Sequence, residues 1–267
     1  GIHYFTVSCV LVPSLTVLYV HMRNGRGSER LLLAALVMTA ISLLIPILCV
    51  SRFQLVFAVL LAAFTYISLQ KLFHPGWLFG LFVVMIPFYL ILTVARSHNI
   101  EYLNGIFEMK NASMPIFVSQ PYIYIANNYD NFNFLVGALP GHSFGLKGLF
   151  PLWALSGLKF FFPQLINFPI YVDKTELTTL TLFYDSYYDF GWIGVLLFSC
   201  ILGAIAYILV VKLREMRNPL GYLLYAQFAA YLMLSFFTTW FSNTTTWFYL
   251  ILTGIMALFY HLRASRW

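Results

Sequence analysis

Long runs of apolar residues recur along the chain, and their pattern is that of helices that cross a membrane. A helix needs about 20 consecutive apolar residues to cross a hydrocarbon core of about 30 Å. Backbone polar groups must be satisfied inside the bilayer, and the runs lack the alternation of barrel strands. We therefore predict about seven spanning helices, at residues 2–22, 31–50, 53–70, 77–95, 188–211, 219–240 and 244–260.

The connections between these runs predict an orientation. Arginine and lysine residues gather in 23–30, in 212–217 and in the C-terminal tail. The positive-inside rule places such short basic connections in the cytoplasm. The segment 96–187 then forms a large external loop that leads into the next span. Its stretch 148–168 is apolar but interrupted by prolines, which predicts short interfacial or re-entrant helices.

The composition excludes a soluble domain. Hydrophobic residues make up 61% of the chain and charged residues 9%, whereas soluble domains have about 25% charged residues. The formal net charge of +6 is explained by basic loops and gives no reason to expect a nucleic-acid partner. We interpret residues 1–267 as one all-α, polytopic transmembrane domain. The helix-like start at Gly1 suggests the C-terminal part of a longer chain.

Two arginines lie at the predicted external ends of neighbouring spans. Arg52 stands between two apolar runs with almost no loop, and Arg96 ends the next outward span. A boundary arginine costs about 2.5–3.5 kcal/mol on insertion scales, so each should have a partner. Two guanidinium groups suit the oxygens of one diphosphate. The alternatives are a snorkelling anchor for Arg52 and, for Arg96, a salt bridge to Glu101, Asp185 or Asp189.

Three residues of the external segment are candidates for acid–base chemistry. His142 lies in a glycine-rich stretch, where backbone can approach a ligand closely, and histidine side chains titrate near neutral pH. Asp185 and Asp189 are spaced to share one face if a helix has already begun there. Acidic residues are also favoured at a helix N-terminus by the macrodipole, which is the structural alternative. Lys147 is as well explained by attachment to anionic lipid.

Several motifs of soluble enzymes are missing from the sequence. It contains no P-loop, no HExxH, no GxSxG and no Asp-x-Asp pair of the kind that holds a metal on a sugar diphosphate. We therefore expect no cofactor and a metal-independent reaction. Any bound diphosphate would be neutralised by arginine.

Residues 187–203, 51–64 and 141–145 carry short motifs that occur together in one known family. They resemble motifs of the oligosaccharide repeat-unit polymerases, the Wzy-type O-antigen and capsule polymerases. Residues 187–203, "YYDFGWIGVLLFSCILG", are similar to an aromatic stretch of that family that ends in Asp-Phe-Gly and precedes a span. "SRFQLVFAVLLAAF" resembles its Ser-Arg at an external span end, and "GHSFG" precedes both aspartates in a suitable order. Members have more spans, so the chain corresponds to their C-terminal part.

The resemblance implies a bacterial cytoplasmic (inner) membrane enzyme whose active face is external, in the periplasm. Its partners would be undecaprenyl-diphosphate-linked glycans, membrane lipid and other polysaccharide-assembly proteins. The growing glycan would pass from undecaprenyl diphosphate to an acceptor hydroxyl. Arg52 and Arg96 would stabilise the leaving diphosphate, and His142, Asp185 or Asp189 would act as the base.

Two other functions agree with the same sequence features. An O-antigen ligase, or another lipid-dependent glycosyltransferase, would differ from a polymerase only in its acceptor. A flippase for lipid-linked sugars would place its polar groups near the membrane midplane. In this chain the polar residues gather instead beside the long external segment.

Overall fold

The computed structural model describes residues 2–23, 28–49, 51–70, 76, 79–80, 83, 86–87, 90–91, 99–213 and 215–264. All regular secondary structure in these ranges is helical, as the sequence predicts. The helices of at least six residues are α1 (Ile2–Val7), α2 (Val12–Arg23), α3 (Glu29–Leu48), α4 (Arg52–Leu69), α5 (Ile100–Ile106), α6 (Ile116–Ala138), α7 (Phe150–Leu155), α8 (Tyr184–Leu213), α9 (Leu220–Met233) and α10 (Thr244–Ala264). Short 3₁₀ turns occupy Ser8–Leu11, Leu158–Phe160, Pro163–Leu165 and Trp240–Ser242.

Three of the described helices are long and apolar enough to cross a membrane. They are α3, most of α10 (Thr244–Arg263) and α8. The predicted span 219–240 is shorter in the structure, where α9 has 14 residues and so extends only about 21 Å. The predicted span 77–95 lies largely outside the described residues. Seven spans therefore remains a prediction, whereas three helices meet the criteria of length and composition.

The chain forms two compact units. The first comprises Gly1–His98, Leu209–Ala230 and Tyr249–Trp267. The second comprises Asn99–Ile208 and Tyr231–Phe248. The second unit therefore contains most of the segment predicted to be external, together with the start of α8.

Hydroxyl and amide side chains pair inside the first unit. The Thr39 hydroxyl donates to Thr16 Oγ1 at 2.8 Å, which links α3 to α2. Gln227 Nε2 donates to Thr253 Oγ1 at 2.6 Å, which links α9 to α10. Among apolar helices such bonds satisfy polar groups that lipid cannot, and so they fix which helix faces meet.

A row of asparagines on α6 organises the second unit. Asn127 and Asn131 are buried, and their Nδ2 groups donate to the Leu177 carbonyl at 3.0 and 2.7 Å. Asn131 Nδ2 also donates to the Thr179 carbonyl at 2.9 Å, and its Oδ1 accepts from the Asp173 amide at 3.0 Å. The segment that precedes α8 has no helix or strand of its own here, so these amides supply its backbone partners.

The helix α6 differs from the predicted short interfacial helices of the external segment. It has 23 residues, and its buried face mixes polar and apolar side chains, with Asn127, Asn128 and Asn131 between Ile123 and Leu135. These buried asparagines explain why hydropathy does not reveal the helix. The shorter helices predicted within 148–168 are present as α7 and two 3₁₀ turns.

An aromatic contact joins α6 to the beginning of α8. Leu135, Leu180, Tyr184 and Tyr188 form one buried cluster. The Tyr184 hydroxyl donates to the Tyr171 carbonyl at 2.7 Å and accepts from the Tyr171 amide at 2.8 Å. The beginning of α8 is thus held by α6 and by Tyr171, and its first two turns carry Asp185 and Asp189.

Candidate functional site

The helix α8 breaks at the Asp-Phe-Gly stretch. Phe190 (φ −137°, ψ 16°) and Gly191 (φ 61°, ψ −148°) leave the helical conformation, and the second is a region that favours glycine. Gly194 then lies so close to the Ser186 carbonyl that a Cβ there would collide with it. The two glycines and their spacing therefore allow the sharp change of direction that follows Asp189.

The Asp189 side chain holds a loop against this break. It is only 3% exposed, and its carboxylate accepts bonds from the Gly148 amide at 2.8 Å and the Lys147 amide at 3.2 Å. The Ser143 hydroxyl donates to the same carboxylate. A Cβ on Gly148 would lie 2.5 Å from Asp189 Oδ2, so the loop needs glycine there. Bonds to an ionised acceptor are stronger than neutral ones, and three of them fix residues 143–148 firmly.

Backbone bonds continue this attachment. The Ser143 amide donates to the Tyr188 carbonyl at 3.3 Å, and the Phe144 amide donates to the Asp189 carbonyl at 3.1 Å. In an unbroken helix each carbonyl would accept from the amide four residues later. The break at Phe190 therefore makes these carbonyls available to the loop. The glycine-rich stretch and the Asp-Phe-Gly stretch thus form one structural feature.

Lys147 directs its side chain inward, towards Asp185. Its Nζ lies 3.7 Å from Asp185 Oδ1 and 4.3 Å from the centre of the Tyr188 ring, and its side chain is 11% exposed. Burial lowers the pKa of the Lys147 amine, while the charges of Asp185 and Asp189 act in the opposite direction. The pair joins the loop to α8 a second time. A role for Lys147 as an attachment to lipid does not agree with this burial.

Asp185 is closed off from solvent. Its residue surface is 5% exposed, and Thr239 and Ser242 lie beside its carboxylate. Within the described residues, Oδ1 has no hydrogen-bond partner, since Lys147 is slightly too distant to donate one. Removing a partner from a buried charge is costly, so this ion pair is needed for the local structure whatever its chemical role.

His142 is the exposed member of the group. Its ring stands edge-on to Tyr187, with ring centres 6.2 Å apart, and its Nδ1 lies 3.3 Å from the Tyr188 carbonyl. A Cβ on Gly191 would come within 3.1 Å of His142 Nε2, so the ring lies against the break in α8. A carbonyl oxygen only accepts hydrogen bonds, so this contact favours the tautomer that carries its proton on Nδ1. In the neutral ring with that tautomer, Nε2 is the acceptor.

The structure therefore brings together three of the five predicted site residues. His142, Asp185 and Asp189 all belong to the second unit and surround the beginning of α8. They differ in environment: His142 is exposed, whereas both aspartates are buried. Arg52 is the first residue of α4, and its side chain lies outside the described part of the protein. Arg96 lies entirely outside the described residues.

The residues that hold this site together were not predicted from the sequence as site residues. Ser143 and Gly148 bind Asp189, and Lys147 pairs with Asp185. The glycine-rich composition of "GHSFGLKG" was the available signal, because closely spaced glycines mark tight backbone approach. Thr239 and Ser242 carried no such signal, since isolated hydroxyl residues are common in loops. A metal was not predicted, and no cluster of three His, Cys, Asp or Glu side chains occurs in the ranges described.

Comparisons with known proteins found no relative of this chain. No family model, no curated protein and no solved structure matches the chain. The fold and the site define the class broadly: across the described residues the protein is helical, with three helices able to cross a membrane and a site of buried aspartates and an exposed histidine on its second unit. The polymerase resemblance remains an expectation from the motifs themselves.

Proposed function

We propose that the protein polymerises lipid-linked oligosaccharide repeat units. In this reaction the acceptor hydroxyl attacks the anomeric carbon of a glycan carried on undecaprenyl diphosphate. The bond between that carbon and the diphosphate oxygen breaks, and undecaprenyl diphosphate leaves. The hydroxyl proton passes to a base on the protein, and no redox step or bound cofactor is required.

The observation that carries this proposal is the setting of His142. Its imidazole is exposed, its Nδ1 faces a carbonyl, and its Nε2 is left as the acceptor. A general base must reach the proton it removes, and it must carry a free lone pair. The exposure of His142 and the contact of its Nδ1 with a carbonyl support our assignment of this residue as the base. General-base catalysis of this kind contributes about 10²–10⁴-fold to a rate.

The two aspartates are assigned positioning roles. Asp189 is buried, and all its interactions hold the loop that bears His142. Three donors already occupy this carboxylate, so its oxygens are committed to the loop. Asp185 is buried against Lys147, so it lies out of reach of a sugar hydroxyl. Both side chains act through the geometry of His142.

Arginine is proposed to stabilise the leaving diphosphate. Arg52 is the first residue of α4, an 18-residue helix that is mainly apolar after it. A fixed cation at a developing negative charge lowers the barrier without a metal ion. Arg52 and Arg96 are the proposed cations, and the donor lipid would lie in the membrane beside them.

The placement of the site at the external membrane surface is part of the proposal. Phe160 and Phe161 are each 78% exposed, and Phe162 is 47% exposed. Lys159 lies over the Phe160 ring at 5.2 Å. Exposed phenylalanines beside a lysine suit the membrane interface. We therefore propose that residues 158–162 lie on the periplasmic surface of a bacterial inner membrane, where lipid-linked sugars are met.

The polysaccharide of a bacterial strain that lacks the gene tests this function. A polymerase deletion should leave surface glycan with a single repeat unit, because attachment to the final acceptor still takes place. The reintroduced wild-type gene should restore the ladder of longer chains, and the His142→Gln variant at equal abundance should not. A bare lipid core in the deletion strain would indicate a ligase, and an unchanged ladder would refute any role in glycan assembly.

A further inference from the structure

A second recess lies on the same unit, along α6. It has a volume of about 650 Å³, within the range of about 300–1,000 Å³ that is typical of ligand pockets. Its walls are residues 107–111 and Met114 after α5, one face of α6, and Asp173 with Lys174. We call it the α6 groove. None of the residues assigned to the reaction lines it.

The groove is long instead of round. Its α6 wall runs from Val118 through Tyr122 and Ala126 to Asp130, residues spaced by four on one helix face. At 1.5 Å per residue this wall extends about 18 Å. A chain-like ligand fits such a shape better than a compact one.

The charges of the groove favour a ligand without acidic groups. Lys174 is paired with Glu108 at 2.9 Å and also donates to the Ile106 carbonyl at 3.2 Å. This leaves two exposed carboxylates, Asp130 and Asp173, which have no ion-pair partner within the described part of the chain. Besides Lys174, the groove lining contains one ammonium group, on Lys110. Carboxylates accept hydrogen bonds from hydroxyl and amine groups, and they repel other carboxylates.

Apolar surface lies beside these acids. Tyr122 is 60% exposed on the groove wall, and Phe107 and Ile123 form a buried floor. A sugar ring has a face of C–H groups and a rim of hydroxyls. An exposed aromatic ring next to carboxylates offers a partner to each. This combination distinguishes the groove from a peptide-binding groove, which would need free backbone edges or deep side-chain pockets.

The groove is also connected to the proposed base, through α6 on one wall and through residues 171–173 on the other. Asp130 is about 12 Å, measured along α6, from the helix end at Ala138, and His142 follows closely in the chain. On the other wall, the Asp173 amide is bonded to Asn131 of the same helix. Tyr171, next to this wall, is bonded to Tyr184 at the start of α8. These hydrogen bonds thus connect the groove to the beginning of α8, where the site lies.

We propose that the α6 groove binds a non-acidic, hydroxyl-rich part of the glycan and retains it between successive additions. This inference rests on the polymerase function proposed above. It assigns to Asp130, Asp173 and Tyr122 a role in chain length, separate from the transfer step at His142. Weaker retention should release chains earlier without preventing their formation.

The test compares polysaccharide ladders from strains that carry groove variants. Asp130→Asn and Asp173→Asn, alone and together, should shift the most abundant chain to fewer repeats while repeat addition continues. Both carboxylates are exposed, so these variants should fold. Glu176→Gln is the matched control, because Glu176 is exposed, close to Asp173 in sequence and absent from the groove lining. Tyr122→Ala should shorten chains, whereas Tyr122→Phe keeps the ring and should not.

A direct binding measurement accompanies the ladders. Polysaccharide released from the same strain by mild acid is titrated onto the purified full chain in detergent, and the double variant should bind at least tenfold more weakly. Wild-type ladders and binding in the double variant would overturn the inference. So would a complete loss of polymer at normal abundance, since that would place these residues in the reaction. An unchanged ladder in the gene deletion strain would instead refute the polymerase function itself.

Discussion

Replacing Asp189 with asparagine should loosen the loop that carries His142 while leaving α8 helical. The carboxylate accepts from the Gly148 amide on Oδ2, and from Lys147 and Ser143 on Oδ1. Asparagine keeps one acceptor oxygen and presents an NH₂ group in place of the other. In either orientation, at least one donor of the loop then faces another donor.

The size of this effect follows from the bonds lost. A hydrogen bond to a charged group contributes about 1.5–3 kcal/mol, and an unsatisfied buried donor adds to the loss. We therefore expect the closed loop of Asp189→Asn to be less stable by about 2 kcal/mol. Since each 1.36 kcal/mol corresponds to a factor of ten, the open population rises about 30-fold.

Hydrogen exchange measured by mass spectrometry reports this opening directly. The amides of Lys147 and Gly148 should exchange about 30-fold faster in Asp189→Asn, because exchange follows the open population when closing is fast. Asp130→Asn is the control, since that aspartate is exposed on α6 and makes none of these contacts. Ser143→Ala should give a smaller increase. Unchanged protection of both amides in Asp189→Asn would refute the anchoring role.

Three further predictions concern the surroundings of the site. Gly191→Ala should lower stability by about 1–3 kcal/mol, because alanine is strained at this positive φ. Gly203→Ala, at a helical site with open space around it, should not lower stability. Equal melting temperatures of the two variants would contradict this prediction. Asn131→Ala should leave buried backbone groups unpaired and expose 171–180 to limited proteolysis, unlike the exposed control Asn133→Ala. The pKa of Lys147 is lowered in the folded protein. At pH values between its folded and unfolded pKa, the unfolded chain therefore binds more protons than the folded chain. Wild-type stability relative to Lys147→Met should therefore rise with pH up to about 10, and a flat difference would contradict the shift.

The apolar helices were largely predictable because their pattern is local. The predicted span 31–50 corresponds to Glu29–Leu48, and 53–70 corresponds to Arg52–Leu69. The span predicted at 188–211 begins earlier, at Tyr184, since buried tyrosines and a lysine partner stabilise a polar first turn. Asp185 lowers the local hydropathy, so the predicted span begins after it. Its tertiary partners stabilise this first turn and make it part of the helix.

The polar interior of the second unit was not predictable in the same way. No local pattern distinguishes Asn127 and Asn131 from asparagines in loops. Their partners lie about 50 residues further along the chain. Nothing in the local sequence indicates that Leu177 would accept two of these bonds. Partners at such separations are set by tertiary packing, which periodicity does not report.

The candidate site was partly predictable. The i, i+4 spacing of Asp185 and Asp189 predicted a shared helix face only if the helix had already begun, and α8 does begin at Tyr184. Their roles could not be separated from that of His142 by sequence alone, because the separation depends on burial. Both aspartates are enclosed by the loop, whereas the histidine at its edge is exposed. Whether Arg52 and Arg96 form a diphosphate clamp stays a prediction.

Chain extension by the purified protein is the most direct test of the central claim. The protein in detergent is supplied with undecaprenyl-diphosphate-linked repeat units, and the products are separated by length. Wild type should extend them in the presence of EDTA, Asp185→Asn should retain part of that activity if it folds, and His142→Gln should lose about 10²–10⁴-fold. Fully active His142→Gln, or activity that EDTA abolishes and magnesium restores, would contradict the account.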